Sequence, residues 1–403
     1  MIIQRTPPRH PRSGPSCTLV IIVAVVFALG IYVVGNAEEV REVIVPTPTP
    51  APTRSAVEYA TSAALYERDG EYASAIEAYE QAIAMDTGNV NYFMSLVDLL
   101  IRAGRAEEAL ERAQQAKVLA PSDSQVWAAV SSAHLANGNR LWETGDQVGA
   151  KLQFQEAINA AEQATSIEGS NAEAYAYMAQ ALVQMGYERY NEAAEVASLA
   201  VELDPTSATT RRAMANVFEM GGNYDRAIEE YLLALDANPD LIDMRIDLAY
   251  LYFFNARQQQ GILTLQDVLE IDPSNAAAYD GLSYFYFVLG EYPDSEENAF
   301  QAVQLDPDMN RAHAHLGAAR FKQSKYDTAI EELEIAVGNY DDITTSNATY
   351  FNMLGLAYYY TDRCPEALPL FRRVLATAPD ETAVLNAEEG MELCRQWQLD
   401  NNS

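Results

Sequence analysis

The stretch GGNYDRAIEEYLLALDANPD, residues 221–240, returns in altered form as LGEYPDSEENAFQAVQLDPD, residues 289–308. The offset between the two copies is twice 34, and prolines also recur at intervals of 34 at Pro205, Pro239, Pro273 and Pro307. A unit of this length accommodates two helices of three to four turns and two short turns. The sequence therefore predicts a helical hairpin that is repeated along the chain.

The apolar residues within one unit have helical spacing. In residues 208–241, Ala227, Tyr231 and Ala234 recur at i, i+4 and i+7, which places them on one face of a helix. A glycine pair at 221–222 separates this helix from the one before it. Small alanines at the crossing points allow paired helices to approach closely.

On these residues the chain resembles tetratricopeptide repeat proteins. The family has a small residue at position 8 of each unit and alanine at positions 20 and 27. Position 8 here is Ala63, Ala179, Ala215, Ala249, Gly317 and Gly355, and position 20 includes Ala75, Ala109, Ala227, Ala329 and Ala367. The resemblance covers residues 56–381 and implies an all-α fold, an α-solenoid in which nine helical hairpins form a right-handed superhelix.

Three units exceed this repeat length. The third unit, 124–171, has fourteen extra residues, so its hairpin is expected to project beyond its neighbours. Unit 172–207 is two residues longer, and unit 310–347 is four longer through GNYDDITTSN. Residues 382–403 are expected to form a capping helix and a tail, because the last repeat would otherwise expose its apolar side.

Residues 1–55 have the composition of an anchor followed by a spacer. Residues 1–17 are basic, and residues 18–34 contain no charge over about 26 Å of helix, which predicts one transmembrane helix of the signal-anchor type. The positive-inside bias places the N-terminus in the cytoplasm and the repeats on the extracytoplasmic side of the membrane. Residues 35–55 form a Pro/Thr-rich linker. The alternative is a signal peptide that is cleaved near Ala37 before export.

Composition and motifs argue against several classes of function. The chain has 26 basic and 58 acidic residues, a net charge of −32, which disfavours nucleic acid as a partner. It has no glycine-rich phosphate loop, nucleophile elbow, HExxH or CxxC motif. We therefore expect no catalysis, cofactor, metal or small-molecule substrate, and a protein or peptide as the partner.

Cys364 and Cys394 are candidates for a disulfide. If the last repeat helix and the cap form an antiparallel hairpin about Pro379, these two residues lie opposite each other. Such a bond would be expected outside the reducing cytoplasm. The alternative is two small residues buried in a helix interface.

The resemblance also implies where a partner binds. In the family, positions 2, 5, 9, 12 and 13 of the first helix of each unit face the concave groove. The aromatic candidates at positions 9 and 12 are Tyr250, Phe253, Tyr284, Phe287, Phe321 and Tyr359. The polar candidates are Arg212, Asn216, Arg311, His315 and Asn352. Aromatic side chains give a large contact area, so these residues are predicted to receive a peptide or helix. The alternative is that position 12 packs against the adjoining unit.

These observations predict a membrane-anchored scaffold for protein–protein interaction, working within a cell-envelope assembly. The alternative is an accessory or regulatory subunit of an envelope enzyme or export complex, for example one for a surface polymer.

Overall fold

A computed structural model of the 403-residue chain describes residues 17–35, 54–239 and 241–401. It divides the chain into two units, with the boundary between Ser55 and Ala56. The described residues contain helices and no strands. The helices are α1 Cys17–Gly35, α2 Ala56–Arg68, α3 Tyr72–Met85, α4 Val90–Arg102, α5 Ala106–Leu119, α6 Ser124–Thr144, α7 Gln147–Ile167, α8 Ala172–Met185, α9 Tyr190–Leu203, α10 Ala208–Met220, α11 Tyr224–Ala237, α12 Ile242–Phe254, α13 Gln258–Ile271, α14 Ala276–Leu289, α15 Tyr292–Leu305, α16 Asn310–Lys322, α17 Tyr326–Gly338, α18 Ala348–Tyr360, α19 Cys364–Thr377 and α20 Glu381–Asn401.

Helix α1 covers the segment predicted to cross a membrane. It has 19 residues, and its described apolar side chains are exposed, as at Phe27 and Ile31. Within the described part of the chain, no helix combines the length and the apolar character needed for a membrane span. The predicted transmembrane helix is therefore not confirmed. The basic N-terminus, the cleavage position near Ala37 and most of the linker lie outside the described residues.

Helices α2 to α19 form nine antiparallel hairpins, so the predicted all-α repeat solenoid is confirmed. The alanines of the repeat columns have no exposed surface, as at Ala63, Ala75 and Ala109. Where position 8 is glycine, the neighbouring helix comes closer still. A Cβ at Gly317 would lie 2.6 Å from Leu333, and one at Gly355 would lie 2.6 Å from the ring of Phe371. The small residues therefore set the distance between paired helices.

Polar side chains define where several first helices begin. Asn89, Asp123, Asn171 and Asn275 precede α4, α6, α8 and α14, and each accepts a hydrogen bond from a backbone N–H two or three residues further on. This bond satisfies one of the N–H groups that have no partner within the helix. The short turns between units thus end one hairpin and start the next.

The third unit departs most from the repeat. Helices α6 and α7 have 21 residues each, whereas α4 and α5 of the preceding unit have 13 and 14. The fourteen extra residues therefore extend both helices by about two turns. The eighth unit carries its extra residues in the loop 339–347, between α17 and α18.

Helix α20 covers the last hairpin. Ala383 and Ala387 are buried against it, and the side-chain amide of Asn352 on α18 donates a hydrogen bond to the carbonyl of Ala383 at 3.0 Å. Cys364 at the start of α19 and Cys394 on α20 are joined by a disulfide, with their Cα atoms 5.4 Å apart. The C-terminal end of the array is thus closed by apolar packing, one buried amide and a covalent bond.

Candidate partner-binding site

Four consecutive first helices line one cavity of about 580 Å³. Helix α6 contributes Asn139, α8 contributes Gln180 and Gln184, α10 contributes Asn216, and α12 contributes Tyr250. Helix α6 packs against α8 and α8 packs against α10, and the cavity extends from these helices onto α12. The volume of the cavity is typical of ligand sites.

The cavity is lined by two sets of paired polar groups. Arg212 forms an ion pair with Asp247, with 3.2 Å between Nε and Oδ2. The hydroxyl of Tyr231 lies 3.1 Å from the amide oxygen of Asn216 and 3.2 Å from a carboxyl oxygen of Glu219. These contacts hold the side chains of three helices in fixed positions.

Glu219 is the group most affected by this environment. The surrounding protein disfavours its charged form, and the neighbouring Asp247 carboxylate adds to the effect, so the pKa of Glu219 is raised to about 7. The hydrogen bond with Tyr231 acts in the opposite direction and is weaker. A positively charged group of a partner that came close to Glu219 would therefore stabilise its charged form.

Aromatic side chains form one wall of the cavity. The rings of Tyr250 and Phe254 lie 6.4 Å apart, and those of Tyr250 and Tyr284 lie 6.5 Å apart. Phe254 is 63% exposed, although it is a large apolar residue. A tyrosine–phenylalanine surface of this kind supplies apolar contact at low cost in side-chain entropy.

A second polar cluster lies further along the first helices. Asp280 on α14 is fully buried and accepts hydrogen bonds from Arg311 Nε and from His315 Nδ1, the latter at 2.7 Å. Arg311 and His315 hold the pKa of Asp280 at about 2, against the effect of burial. The ring of Tyr284 lies 5.3 Å from that of His315, which joins this cluster to the aromatic wall.

Three of the residues predicted to face a partner are in the protein interior. Phe253 is 3% exposed and stacks on Phe285 with 3.9 Å between ring centroids, so it belongs to the core. Asn352 is 3% exposed and holds the capping helix through Ala383. His315 is 5% exposed and is engaged with Asp280. For these three residues, the expectation of an exposed groove position is wrong.

The other position-12 aromatics are partly buried, both within their own units and against the C-terminal core. Phe287 contacts Tyr292 at the start of the following helix, with centroids 5.6 Å apart, and Phe321 contacts Tyr326 at 5.7 Å. Tyr359 packs with them against the C-terminal core. The four aromatics therefore form no continuous exposed strip, and at Phe253 and Phe287 the alternative that position 12 packs against the adjoining unit is the one observed.

The structure brings together Arg212, Asn216 and Tyr250 of the predicted residues, with Tyr284 beside them and Arg311 at the second cluster. It adds Glu219 and Asp280, which the sequence-based prediction left out. Both occupy groove positions, 12 in their unit for Glu219 and 5 for Asp280, so a search of these positions for acidic residues would have found them.

Family comparison identifies the repeats. Residues 67–133 match a sequence profile described as tetratricopeptide repeat, and residues 178–242 and 286–342 match a second profile of the same description. The protein therefore contains tetratricopeptide repeats, as predicted from the repeat period. Repeats of this class, with a concave cavity along their first helices, support a scaffold for protein–protein interaction.

Individual relatives are distant. Hsp70-Hsp90 organizing protein 3 of Arabidopsis thaliana is 21% identical over 264 residues, which are 65% of this chain and 38% of that protein. Tetratricopeptide repeat protein 13 of Homo sapiens is 21% identical over 182 residues, 44% of this chain and 21% of that protein. The chain thus spans well under half the length of these two curated relatives. The solved structure of yeast Tom70 is similar with a TM-score of 0.44 at 12% identity, covering 86% of this chain and 96% of that one.

Proposed function

We propose that the protein is an interaction scaffold that binds an extended segment of a partner protein in the cavity lined by α6, α8, α10 and α12. The observation that carries the proposal is the set of side-chain amides on three neighbouring helices, Asn139, Gln180, Gln184 and Asn216. Each amide offers both a donor and an acceptor, which is the pattern needed to pair with a peptide backbone. The proposal assigns no catalytic role to any residue of this site.

The charges of the cavity favour one kind of segment. Arg212 is already paired with Asp247, whereas Glu219 has a raised pKa and, among the residues that the structure describes, accepts a hydrogen bond only from the Tyr231 hydroxyl. We therefore expect the bound segment to place a lysine or arginine near Glu219 and an apolar side chain against Phe254. Binding would then lower the pKa of Glu219, because an adjacent cation favours its charged form.

A photo-crosslinking amino acid at Phe254 tests this site in intact cells. Phe300 is a matched control, since it is also an exposed phenylalanine but lies on α15, a second helix that does not line the cavity. We expect position 254 to capture one or a few proteins that position 300 does not capture. Adding Glu219→Lys to the first variant should abolish that capture. Identical captures at both positions would contradict the proposal.

We further propose that α1 anchors the scaffold in a membrane, with the repeats on the extracytoplasmic side and the assembly in the cell envelope. The 19 residues of α1 give a helix of about 28 Å, slightly under the ~30 Å hydrocarbon core, a mismatch that local thinning of the bilayer can absorb. The Cys364–Cys394 disulfide supports an oxidising compartment.

Fractionation tests the anchor and its orientation separately. The full-length protein should stay with membranes after alkaline extraction, whereas a chain beginning at Arg54 should be released. Protease added outside spheroplasts should degrade the repeats of the full-length protein. A repeat domain that is digested only after the membrane is permeabilised would contradict the proposed orientation.

A further inference from the structure

The two longest insertions in the repeat array contact each other. One is the α6–α7 hairpin, whose tip is residues 143–146, and the other is the loop 339–347 of the eighth unit. The backbone N–H of Asp341 donates a hydrogen bond to the carbonyl oxygen of Thr144, with 2.9 Å between N and O. Units of the standard repeat length have neither feature, so the contact between the third and eighth units depends on both insertions.

The hairpin tip is shaped for this contact. Thr144 is the last residue of α6, and the final carbonyls of a helix have no partner within it. Its carbonyl is satisfied by Asp341 instead. Gly145 follows in the left-handed region at φ +102°, and a Cβ there would lie 2.6 Å from the carbonyl oxygen of Asp342. Position 145 therefore requires glycine for two reasons: the backbone is left-handed there, and a side chain would collide with the loop.

The loop is ordered by its own contacts. The side chain of Asn347 accepts a hydrogen bond from the N–H of Thr344 at 2.8 Å and donates one to the carbonyl of Asp342 at 2.9 Å. Ile343 is buried in the C-terminal core. These contacts order the loop directly after Asp341 without any contribution from the hairpin.

The loop that meets the hairpin tip lies beside the Asp280–Arg311–His315 cluster, because the ring of Tyr340 lies 6.4 Å from that of Tyr350, which in turn lies 6.3 Å from the ring of His315. Asp280 raises the pKa of the Arg311 guanidinium most strongly, and the carboxylate of Glu143 on the hairpin tip adds to the effect. Burial raises the pKa of Tyr250, and Glu143 contributes there as well. The tip is therefore close enough to this end of the groove to act on its charged and aromatic groups.

We propose that the contact between Thr144–Gly145 and Asp341–Asp342, here named the clasp, is a gate that opens and closes the groove between the third and eighth units. One good backbone hydrogen bond contributes only about 0.5–1.5 kcal/mol. Exposed carboxylates stand on both sides, Glu143 on the hairpin and Asp341 and Asp342 on the loop, and they repel one another. The clasp is thus weak enough to open reversibly, while the long helices that carry it stay folded.

A closed clasp stands beside the Arg311 end of the groove and leaves the Arg311 side chain 48% exposed, so small molecules reach that end at any time, whereas a long segment or a helix reaches it only when the clasp opens. This part of the inference rests on the proposed function, because it concerns access to the partner site. The clasp itself can be tested without any partner, so that its failure is distinguishable from the failure of partner binding.

Hydrogen exchange at the loop tests whether the clasp forms. The variant Gly145→Ala places a Cβ against the loop, whereas Gly290→Ala introduces a similar left-handed alanine where no atom lies within 4 Å. In the full-length protein, the amide of Asp341 should exchange roughly two- to tenfold faster in the first variant than in the second. Equal exchange in the two variants would overturn the clasp.

Size-selective labelling tests the gate. Tyr250→Cys in a Cys17→Ser background offers one thiol in the groove, because Cys364 and Cys394 are bonded to each other. Gly145→Ala should raise the rate of reaction with a maleimide carrying a bulky polymer by roughly two- to tenfold and leave the rate with a small maleimide unchanged. Unchanged rates with both reagents would overturn the gate.

An engineered disulfide across the clasp provides a second test that remains valid if Gly145→Ala does not fold. Thr144→Cys combined with Asp341→Cys should form a disulfide under mild oxidation, because two residues in backbone hydrogen-bond contact lie within the ~4–7 Å that a disulfide spans. The locked protein should exclude the bulky maleimide from Tyr250→Cys, and reduction should restore the reaction. Failure of the two thiols to pair would overturn the proposal.

Discussion

Replacing Asp280 with asparagine should destabilise the groove at its second polar cluster. The carboxylate is fully buried, one oxygen accepts from His315 and the other from Arg311. The asparagine amide has one acceptor oxygen and one NH2 group, which cannot accept a hydrogen bond. Either Arg311 or His315 therefore loses its acceptor. Breaking a buried, paired charge costs about 3–5 kcal/mol. The depressed pKa points in the same direction, because a shift from 3.8 to about 2 corresponds to about 2 kcal/mol.

Native-state hydrogen exchange is the suitable assay, because repeat arrays unfold locally as well as globally. A loss of about 3 kcal/mol should accelerate exchange in α14 and α16 at least about 100-fold. Asp267→Asn is the matched control, since it removes the same charge from an exposed position on α13. If the two variants exchange alike in α14 and α16, Asp280 does not hold these helices together.

The effect of Asp280→Asn should also depend on pH in a defined direction. The folded-state pKa lies below the unfolded one, so the stability that Asp280 contributes is present at neutral pH and is lost as the pH falls through about 4 toward 2. The difference in unfolding free energy between the wild type and the variant should therefore be smaller at pH 3 than at pH 7 by about 1 kcal/mol. A difference that stays constant from pH 7 to pH 3 would refute the charged network.

Three further outcomes are expected. Phe253→Ala should cost about 3–5 kcal/mol in urea unfolding, whereas Phe254→Ala should leave stability nearly unchanged and reduce partner capture; similar losses would contradict the assignment of Phe253 to the core. Reducing the Cys364–Cys394 bond, which closes a loop of 30 residues, should lower the unfolding free energy by about 3–4 kcal/mol, and a serine pair should show no response to reductant. Because the pKa of Glu219 is raised in the folded state, stability should decline by at most about 3 kcal/mol as the pH rises from about 4.5 to 7, and Glu219→Gln should lack this decline.

The helical hairpins were predictable because their determinants are local. Alanines at fixed positions and prolines at a fixed interval act within one unit or between adjacent units, and the buried columns at Ala215 and Ala227 follow from them. The length of the third hairpin was predictable for the same reason. Fourteen extra residues placed across a turn extend both helices by about two turns without changing the packing beneath.

The orientation of single side chains was harder to predict. Phe253 and Phe254 are adjacent, yet the first is buried and the second is 63% exposed. The reason lies in the partner helix, where Gly261 occupies position 20 instead of alanine. Its missing Cβ would lie 3.0 Å from the Cβ of Phe253, so the glycine leaves room for Phe253 to pack inward on Phe285. A pattern taken from the first helix alone cannot reveal this space.

The clasp could not be predicted from spacing at all. Each insertion is visible in the sequence as a departure from the repeat length, but their meeting depends on the curvature accumulated over the five unit boundaries between the third and eighth units. Small changes at every helix crossing add up along a solenoid. A contact such as that of Thr144 with Asp341 therefore emerges only when the whole array is assembled.

The composition of the cavity determines how a partner is selected. Aromatic contacts alone discriminate weakly, because a ring accepts many apolar groups. Amides at Gln180, Gln184 and Asn216 and the carboxyl of Glu219 act differently, since a partner that covers them without pairing with them leaves buried polar groups unsatisfied. Each such group costs about 1–3 kcal/mol, so two mismatches are enough to reject a segment that fits by shape. Selection in this groove is therefore expected to come from the penalty on wrong partners more than from the affinity of apolar contact.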